Sequence, residues 1–434
     1  MRHAFCNTRM KFVAGAVLLS LASVSFAQSA TLVGGGATLP AAGYAGNTAN
    51  RLMTPSTGTL LAAYGSANGV GTTYCQTGSG GGKNILAGSV SGFNVNAACD
   101  GTSPIGFGGT GLSQPHFVGS DSPLSASDYS NYLAGHTATG AQPVQAPAVA
   151  GAIAVVFNKP QVRALRLNES QVCQIFSGKI KNWEDAALAS AIVPMPGQTV
   201  TGPIKIAYRS DGSGTSFAFT NHLSAKCGTD ATFGGNGQAT QFQTNQDYAT
   251  AAAAYLSSYS SSVGASGNPG VITAIGANQG SIGYAETANS VQSGTQRASI
   301  SNDSAATTFV DPATFGGPLP VTVTYDKIIG SNNAAGRPQL ASLSPAPAVA
   351  QCVAVVDPAA YAVPASGYPI VAVSYFLVNA KGNGADLAHV QSLLISPYNT
   401  TVRSNVTKIG AGQGLSFLTA PGIDSSFASR CVTQ

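Results

Sequence analysis

An apolar run from Ile204 to Tyr208 ends at Arg209, and after Ser210, Asp211, Gly212 and Ser213 a helix is expected from about Gly214, carrying Phe217, Phe219 and Leu223. Strand, short hydroxyl-rich turn and helix in that order make an α/β unit, and such a strand is buried only in a sheet covered by helices. The runs Ala148–Phe157 and Tyr368–Val378, rich in Val, Ile and Ala, read as further strands. One helix is expected from Asn168, an N-cap with Gln171 three residues on, through Val172, Ile175 and Phe176 to a stop at Gly178. Another is expected from Ala385 to about Leu394, with Leu387, Val390 and Leu394 on one face. Both are core-facing helices without chemistry of their own. Three stretches rich in Gly, Ser, Ala and Asn, 228–237, 257–270 and 285–305, read in part as exposed loops inserted into the α/β frame.

The N-terminus places Arg2, Arg9 and Lys11 before an apolar run from Phe12 to Phe26 that closes in Ser25-Phe26-Ala27, the order of a cleavable signal peptide over residues 1–27. That run is shorter than the about 20 residues a membrane-spanning helix needs. Cys6 precedes it, so no lipid-anchored Cys and no stable membrane anchor are expected. The remaining roughly 400 residues exceed what one core fills, and two lobes are expected. Charged residues make up 8% of the chain, against about 25% in an average protein. With the three N-terminal cations set aside, the rest of the 20 Lys and Arg nearly balance the 16 Asp and Glu. Such a surface has no basic stripe for a polyanion, which excludes nucleic acid as a partner. An anionic ligand would have to be held by local hydrogen bonds.

Six cysteines follow the signal segment: Cys75, Cys99, Cys173, Cys227, Cys352 and Cys431. An even number in an exported chain points to three disulfides, for which fifteen connectivities exist. Sequential pairing, Cys75 with Cys99, Cys173 with Cys227 and Cys352 with Cys431, is favoured because each bond then closes a loop within one lobe. A zinc site is disfavoured, since no CxxC occurs and His116, His136, His222 and His389 are widely spaced. No metal and no cofactor are expected.

Four small-residue turns could hold an anion. In Gly34–Pro40 the glycines let backbone approach a ligand, Thr38 offers a hydroxyl, and a helix beginning near Pro40 would aim its free N–H groups at the same point. Thr77–Asn84 superficially resembles a nucleotide-binding loop, but Thr77 and Asn84 break the Walker pattern. Ser79 at the mouth of a helix remains as a simpler cradle. Val118–Ser125 contains Asp121, which would by itself be read as a turn cap. In Tyr208–Phe217, Arg209 stands at a strand end, where open α/β sheets hold ligands. Ser213, Gly214 and Thr215 would aim hydroxyls and N–H groups at a tetrahedral anion, with Asp211 near enough to orient Arg209.

The segment YRSDGSGTSFAFTNHLS resembles the signature of the phosphate-binding receptors of ABC phosphate importers, and GGGATLP, VGSDSPLS, QIFSGKIKNWED and GSIGY match further blocks in the same order. Within that superfamily the chain is most similar to the DING proteins, exported phosphate binders. It departs from them in lacking an Asp-Ile-Asn-Gly start, in the additional Cys75 and Cys99, and in the place of Cys352. The resemblance implies a type II periplasmic-binding-protein fold, two α/β lobes joined by a hinge with two chain crossings. Lobe one would comprise 28–146 and 288–434, and lobe two 147–287. Carried over position by position, Thr38, the Leu39 N–H, Ser79 and Asp121 would hold inorganic phosphate from lobe one, and Arg209, Ser213, Gly214 and Thr215 from lobe two.

The expected function is high-affinity phosphate binding for uptake by a periplasmic or secreted, monomeric receptor, possible partner of an ABC permease and not an enzyme. Two alternatives stay open: an exported phosphatase using the same site, or a binder of another oxyanion such as arsenate or sulfate. A vestigial site in an extracellular adhesion protein is a third.

Overall fold

The computed structural model describes Met1 and residues 31–227 and 242–434. The signal segment beyond Met1 and the 228–237 stretch lie outside the described residues. One long sheet runs in the order Leu52–Met53, Gly71–Gln76, Thr31–Gly36, Phe117–Ser120, Val371–Asn379, Pro143–Phe157, Ser281–Glu286, Lys205–Arg209, Ser262–Ala265. Thr31–Gly36 is parallel to both its neighbours, and Lys205–Arg209 to both of its own. Val371–Asn379, from late in the chain, enters antiparallel to Phe117–Ser120 and Pro143–Phe157. The strands alternate with helices, so the architecture is the α/β one expected.

The 15-residue strand Pro143–Phe157 belongs to both halves of the sheet. Residues 143–152 pair with Val371–Asn379, whereas 153–157 pair with Ser281–Glu286. Every residue of it is buried, which explains a run of Ala, Val and Ile with no polar alternation. Farther on, Gln296–Arg297 pairs with this strand at Val156 and Phe157, and Ser299–Ser301 pairs with Val162–Asn168. Strand pairing therefore passes from the first half to the second at 152/153 and stays there through Phe309–Val310, which pairs with Ser299–Ser301. The first change falls inside a strand, six residues after the expected division at 146/147, and the return falls between Val310 and Leu319, where Leu319–Pro320 pairs with Leu415–Thr419, rather than at the expected 287/288.

The Asn168 cap is reciprocal with Gln171 and opens the helix Glu169–Phe176. The second expected helix is Leu387–Leu394, preceded by a 3-10 turn at Gly384–Asp386. The stretches read as loops hold regular structure. Residues 257–270 contain the strand Ser262–Ala265 and the start of the helix Gly267–Ala277. Residues 285–305 contain the helix Thr287–Ser293 and the strand Ser299–Ser301. Glycine and serine stand where side chains would collide, as at Gly264 against Tyr208 and Ser210, and their small size hides the strand period.

Among the described residues the disulfides are Cys75–Cys99, Cys173–Cys227 and Cys352–Cys431, the sequential pairing favoured from the sequence. Among the described residues, no helix is long and apolar enough to cross a membrane.

Candidate functional site

Strand Thr31–Gly36 ends on a glycine at φ 125° that packs its Cα against the Gly119 carbonyl. Ala37 then donates its N–H to Gly119 O at 2.8 Å and accepts from Tyr74 Oη at 2.7 Å. These two bonds fix the following residues, so Thr38 and Leu39 are buried at the strand end. The helix expected near Pro40 is one turn, Ala41–Tyr44.

Ser79 lies in the first turn of the helix Gly78–Ala87, and its Oγ accepts the N–H of Asp121 at 3.0 Å. Lys83, which gives this turn its nucleotide-loop appearance, points elsewhere. It is buried and bonded to Asp128 at 2.6 Å and Ser122 Oγ at 3.3 Å, tying this helix to Ala126–Gly135. Asp121 follows the strand Phe117–Ser120 and is 1% exposed, with its Oδ1 free of hydrogen bonds. Burial pushes its carboxyl up to about 7, against the opposing pull of the Ser374 hydroxyl, the Arg209 charge and the Leu39 N–H.

Arg209 is delivered by the end of strand Lys205–Arg209 and is also 1% exposed. Its Nε and Nη2 donate to the two oxygens of Asp211 at 2.7 and 2.5 Å, a bidentate fork. Burial disfavours the charged Asp211 carboxylate, but Arg209 outweighs it and holds the group below the usual carboxylate range. Nη1 remains, and donates to Thr38 Oγ1 at 3.1 Å and Thr215 Oγ1 at 3.3 Å. Ser213 caps the 14-residue helix Gly214–Cys227, accepting from Ser216 N–H at 3.0 Å.

The two sets of residues meet. A Cβ on Gly214 would stand 2.5 Å from Ser79 Oγ and 2.6 Å from Asp121 Cβ, so only glycine permits this approach. Gly80 N–H donates to Gly212 O at 2.8 Å along the same seam. Thr38, Leu39, Ser79 and Asp121 thus face Arg209, Ser213, Gly214 and Thr215, with Asp211 behind the arginine. Sequence reasoning missed two neighbours. Asn268 is fully buried and bonded to both Thr38 and Thr215, but lay in a stretch read as loop. Ser266-Gly267-Asn268-Pro269 before Val271 and Ile275 was the helix-start signal available there. Ser374 is the one serine of the largely apolar strand Val371–Asn379, at a register shift between Ser374 and Tyr375. Among the described residues no group of His, Cys, Asp and Glu is arranged to hold a metal ion.

Hydroxyls, one arginine and the Asp121 carboxylate are buried together along the seam between two α/β lobes, the arrangement of a two-lobed binding protein. A family model described as a PBP superfamily domain matches residues 48–390, and the chain belongs to the PBP superfamily, among its phosphate-binding proteins. Phosphate-binding protein PstS of Haemophilus influenzae is 30% identical over 301 residues, 68% of this chain and 69% of the relative. Alkaline phosphatase L of Pseudomonas aeruginosa is 31% identical over 270 residues, 62% of this chain but only 60% of the relative's length. A high-affinity periplasmic phosphate-binding protein, PfluDING, solved with phosphate, has the same fold: TM-score 0.60, 24% identity, 92% of each chain covered.

Proposed function

We propose that this chain binds inorganic phosphate between its lobes and serves phosphate uptake. One observation carries the reading: Asp121 is buried beside the hydroxyls and the arginine of this cluster, with its Oδ1 free of hydrogen bonds. Monohydrogen phosphate keeps a proton at neutral pH and gives it to this carboxylate in a charge-assisted hydrogen bond, while its other oxygens accept from Thr38, the Leu39 N–H, Ser79, Arg209, Ser213, Gly214 and Thr215. Sulfate has no proton to give and meets the carboxylate lone pair to lone pair. A mismatch of this polar kind discriminates by about 10⁴. Arsenate shares both shape and proton with phosphate and would be accepted.

The signal-peptide pattern of residues 1–27 and the periplasmic location of PfluDING support an exported receptor that hands phosphate to an ABC permease. We read it as a monomer without cofactor. The name of the Pseudomonas aeruginosa relative favours a second reading, hydrolysis of a phosphate ester. Against it, the Ser79 and Ser213 hydroxyls each accept a backbone N–H, and neither meets a histidine. His116 bonds Val33 and Asp386, His136 bonds Tyr132, and His222 bonds Ala362, so a base for serine activation is lacking among these three.

The test is calorimetric titration of phosphate-stripped protein with phosphate, repeated in excess sulfate. Tight one-to-one binding that survives sulfate is expected. No heat of binding would overturn the assignment.

A further inference from the structure

We infer that Asn268 is a positioning residue that fixes the polarity of the cleft hydroxyls and thereby reserves the site for a proton-accepting anion; the inference rests on the phosphate reading above. Asn268 Oδ1 accepts the backbone N–H of Glu286 at 3.2 Å. A backbone N–H can only donate, so this bond settles which way the amide faces and turns Nδ2 toward the threonines. Nδ2 donates to Thr38 Oγ1 at 3.0 Å and to Thr215 Oγ1 at 3.2 Å, one residue from each lobe. The Asn268 N–H adds a third contact, to Thr38 Oγ1 at 3.2 Å.

Arg209 Nη1 donates to the same two oxygens. Thr38 Oγ1 thus receives three N–H donors and Thr215 Oγ1 two. A hydroxyl oxygen has two lone pairs, so both are occupied and each threonine has only its O–H proton left to offer. Those protons are therefore presented to the cleft as donors. Ser79 and Ser213 are loaded in the same sense by single backbone N–H groups. The four hydroxyls would otherwise rotate to suit a donor as readily as an acceptor. Asn268 removes that freedom at the two threonines and links the lobes through them.

The experiment compares phosphate affinity by calorimetry in the wild-type chain, Asn268→Asp and Asn268→Ala, with melting followed by circular dichroism. A carboxylate at 268 keeps the bond from Glu286 N–H but accepts from the threonines, turning their protons away from the cleft. Alanine loses every side-chain bond: Thr38 Oγ1 keeps Arg209 Nη1 and the backbone N–H of residue 268, while the Thr215 hydroxyl, left with Arg209 Nη1 alone, is free to rotate. Polarity control therefore ranks aspartate below alanine, with losses of about 100-fold and about 10-fold. A scaffold role ranks them the other way, and that order, or Asn268→Asp within threefold of wild type, overturns the inference. A second arm adds no charge and tests whether Asn268 acts through the threonines: in a Thr38→Val, Thr215→Val background, Asn268→Ala is expected to cost nothing further. A second 10-fold loss there overturns it, as does unchanged affinity in Asn268→Ala should the aspartate variant not fold. A wild-type chain that binds no phosphate overturns the underlying reading as well.

Discussion

Gly80 and Gly212 lie on opposite sides of the cleft, and the N–H of the first donates to the carbonyl of the second at 2.8 Å. The lobes touch there through backbone alone. Gly214, two residues on, packs against Ser79 and Asp121 with no room for a methyl group.

Gly214→Ala is accordingly expected to wedge the lobes apart while each lobe stays folded. Phosphate affinity should drop about 100-fold or more, since half the proposed ligands no longer reach the anion. Small-angle scattering with phosphate should show a larger radius of gyration than the wild type. An affinity within threefold of wild type would remove the seam from the account of closure.

Selectivity should depend on pH through Asp121, whose carboxyl burial pushes up to about 7. Above that value it is ionised and repels sulfate; below it, the carboxyl carries the proton that sulfate lacks. Sulfate should compete measurably better at pH 5.5 than at pH 8.5, while phosphate retains a proton across this range. Asp121→Asn is a donor at every pH, so its sulfate competition should be strong and flat in a competition titration.

Stability carries the same group's signature. The folded value of about 7 lies above the ordinary 3.8, so between these limits the folded protein holds a proton that the unfolded chain has lost. The stability this contributes is full below about pH 4 and is lost as pH rises through 7. Glu286, pushed up to about 8 by burial, slopes the same way. The melting temperature of ligand-free protein should fall from pH 5 to pH 8.5, and Asp121→Asn should flatten the Asp121 part of that fall and leave the Glu286 part.

Asp211→Ala leaves the Arg209 guanidinium buried without its carboxylate. Breaking such a pair costs about 3 kcal/mol. A bound phosphate would return a negative charge to the arginine, so the rise in melting temperature on adding phosphate should be larger in Asp211→Ala than in wild type. Equal shifts would mean that Arg209 does not face the ligand.

The Cys352–Cys431 bond joins residues 79 positions apart and ties down the C-terminal helix Ser425–Cys431. Replacing both cysteines by alanine should cost about 4 kcal/mol by the loop-entropy argument. None of the cleft hydrogen bonds involves either cysteine, so phosphate affinity should stay within twofold when measured below the new melting temperature.

The strand ending at Arg209 and the capping box at Asn168 were legible because their signals are local: an apolar run, and two side chains three residues apart. The four turns stood out as candidates, yet their convergence came from the family blocks, since Thr38 and Arg209 are 171 positions apart. Asn268 stayed hidden for a physical reason. Its importance lies in what its amide saturates, and its surroundings of Ser, Gly and Ala resemble a loop when the packing that demands small residues is not in view. Lys83 is the opposite case: a lysine beside glycines has the look of a ligand contact, but it is bonded to Asp128.

Pro143–Phe157 is one unbroken strand with its first ten residues paired in one half of the sheet and its last five in the other. A chain cut between Ala152 and Ile153 would leave residues 143–152 as a torn strand in the first fragment, while their partner Val371–Asn379 stays in the second with both of its edges bare. Neither fragment could be expressed, swapped into a relative or inherited alone without inviting edge-to-edge association. The smallest transferable module of this protein is therefore the whole two-lobed body, and recombination can alter its ligand only by exchanging turns, never a lobe.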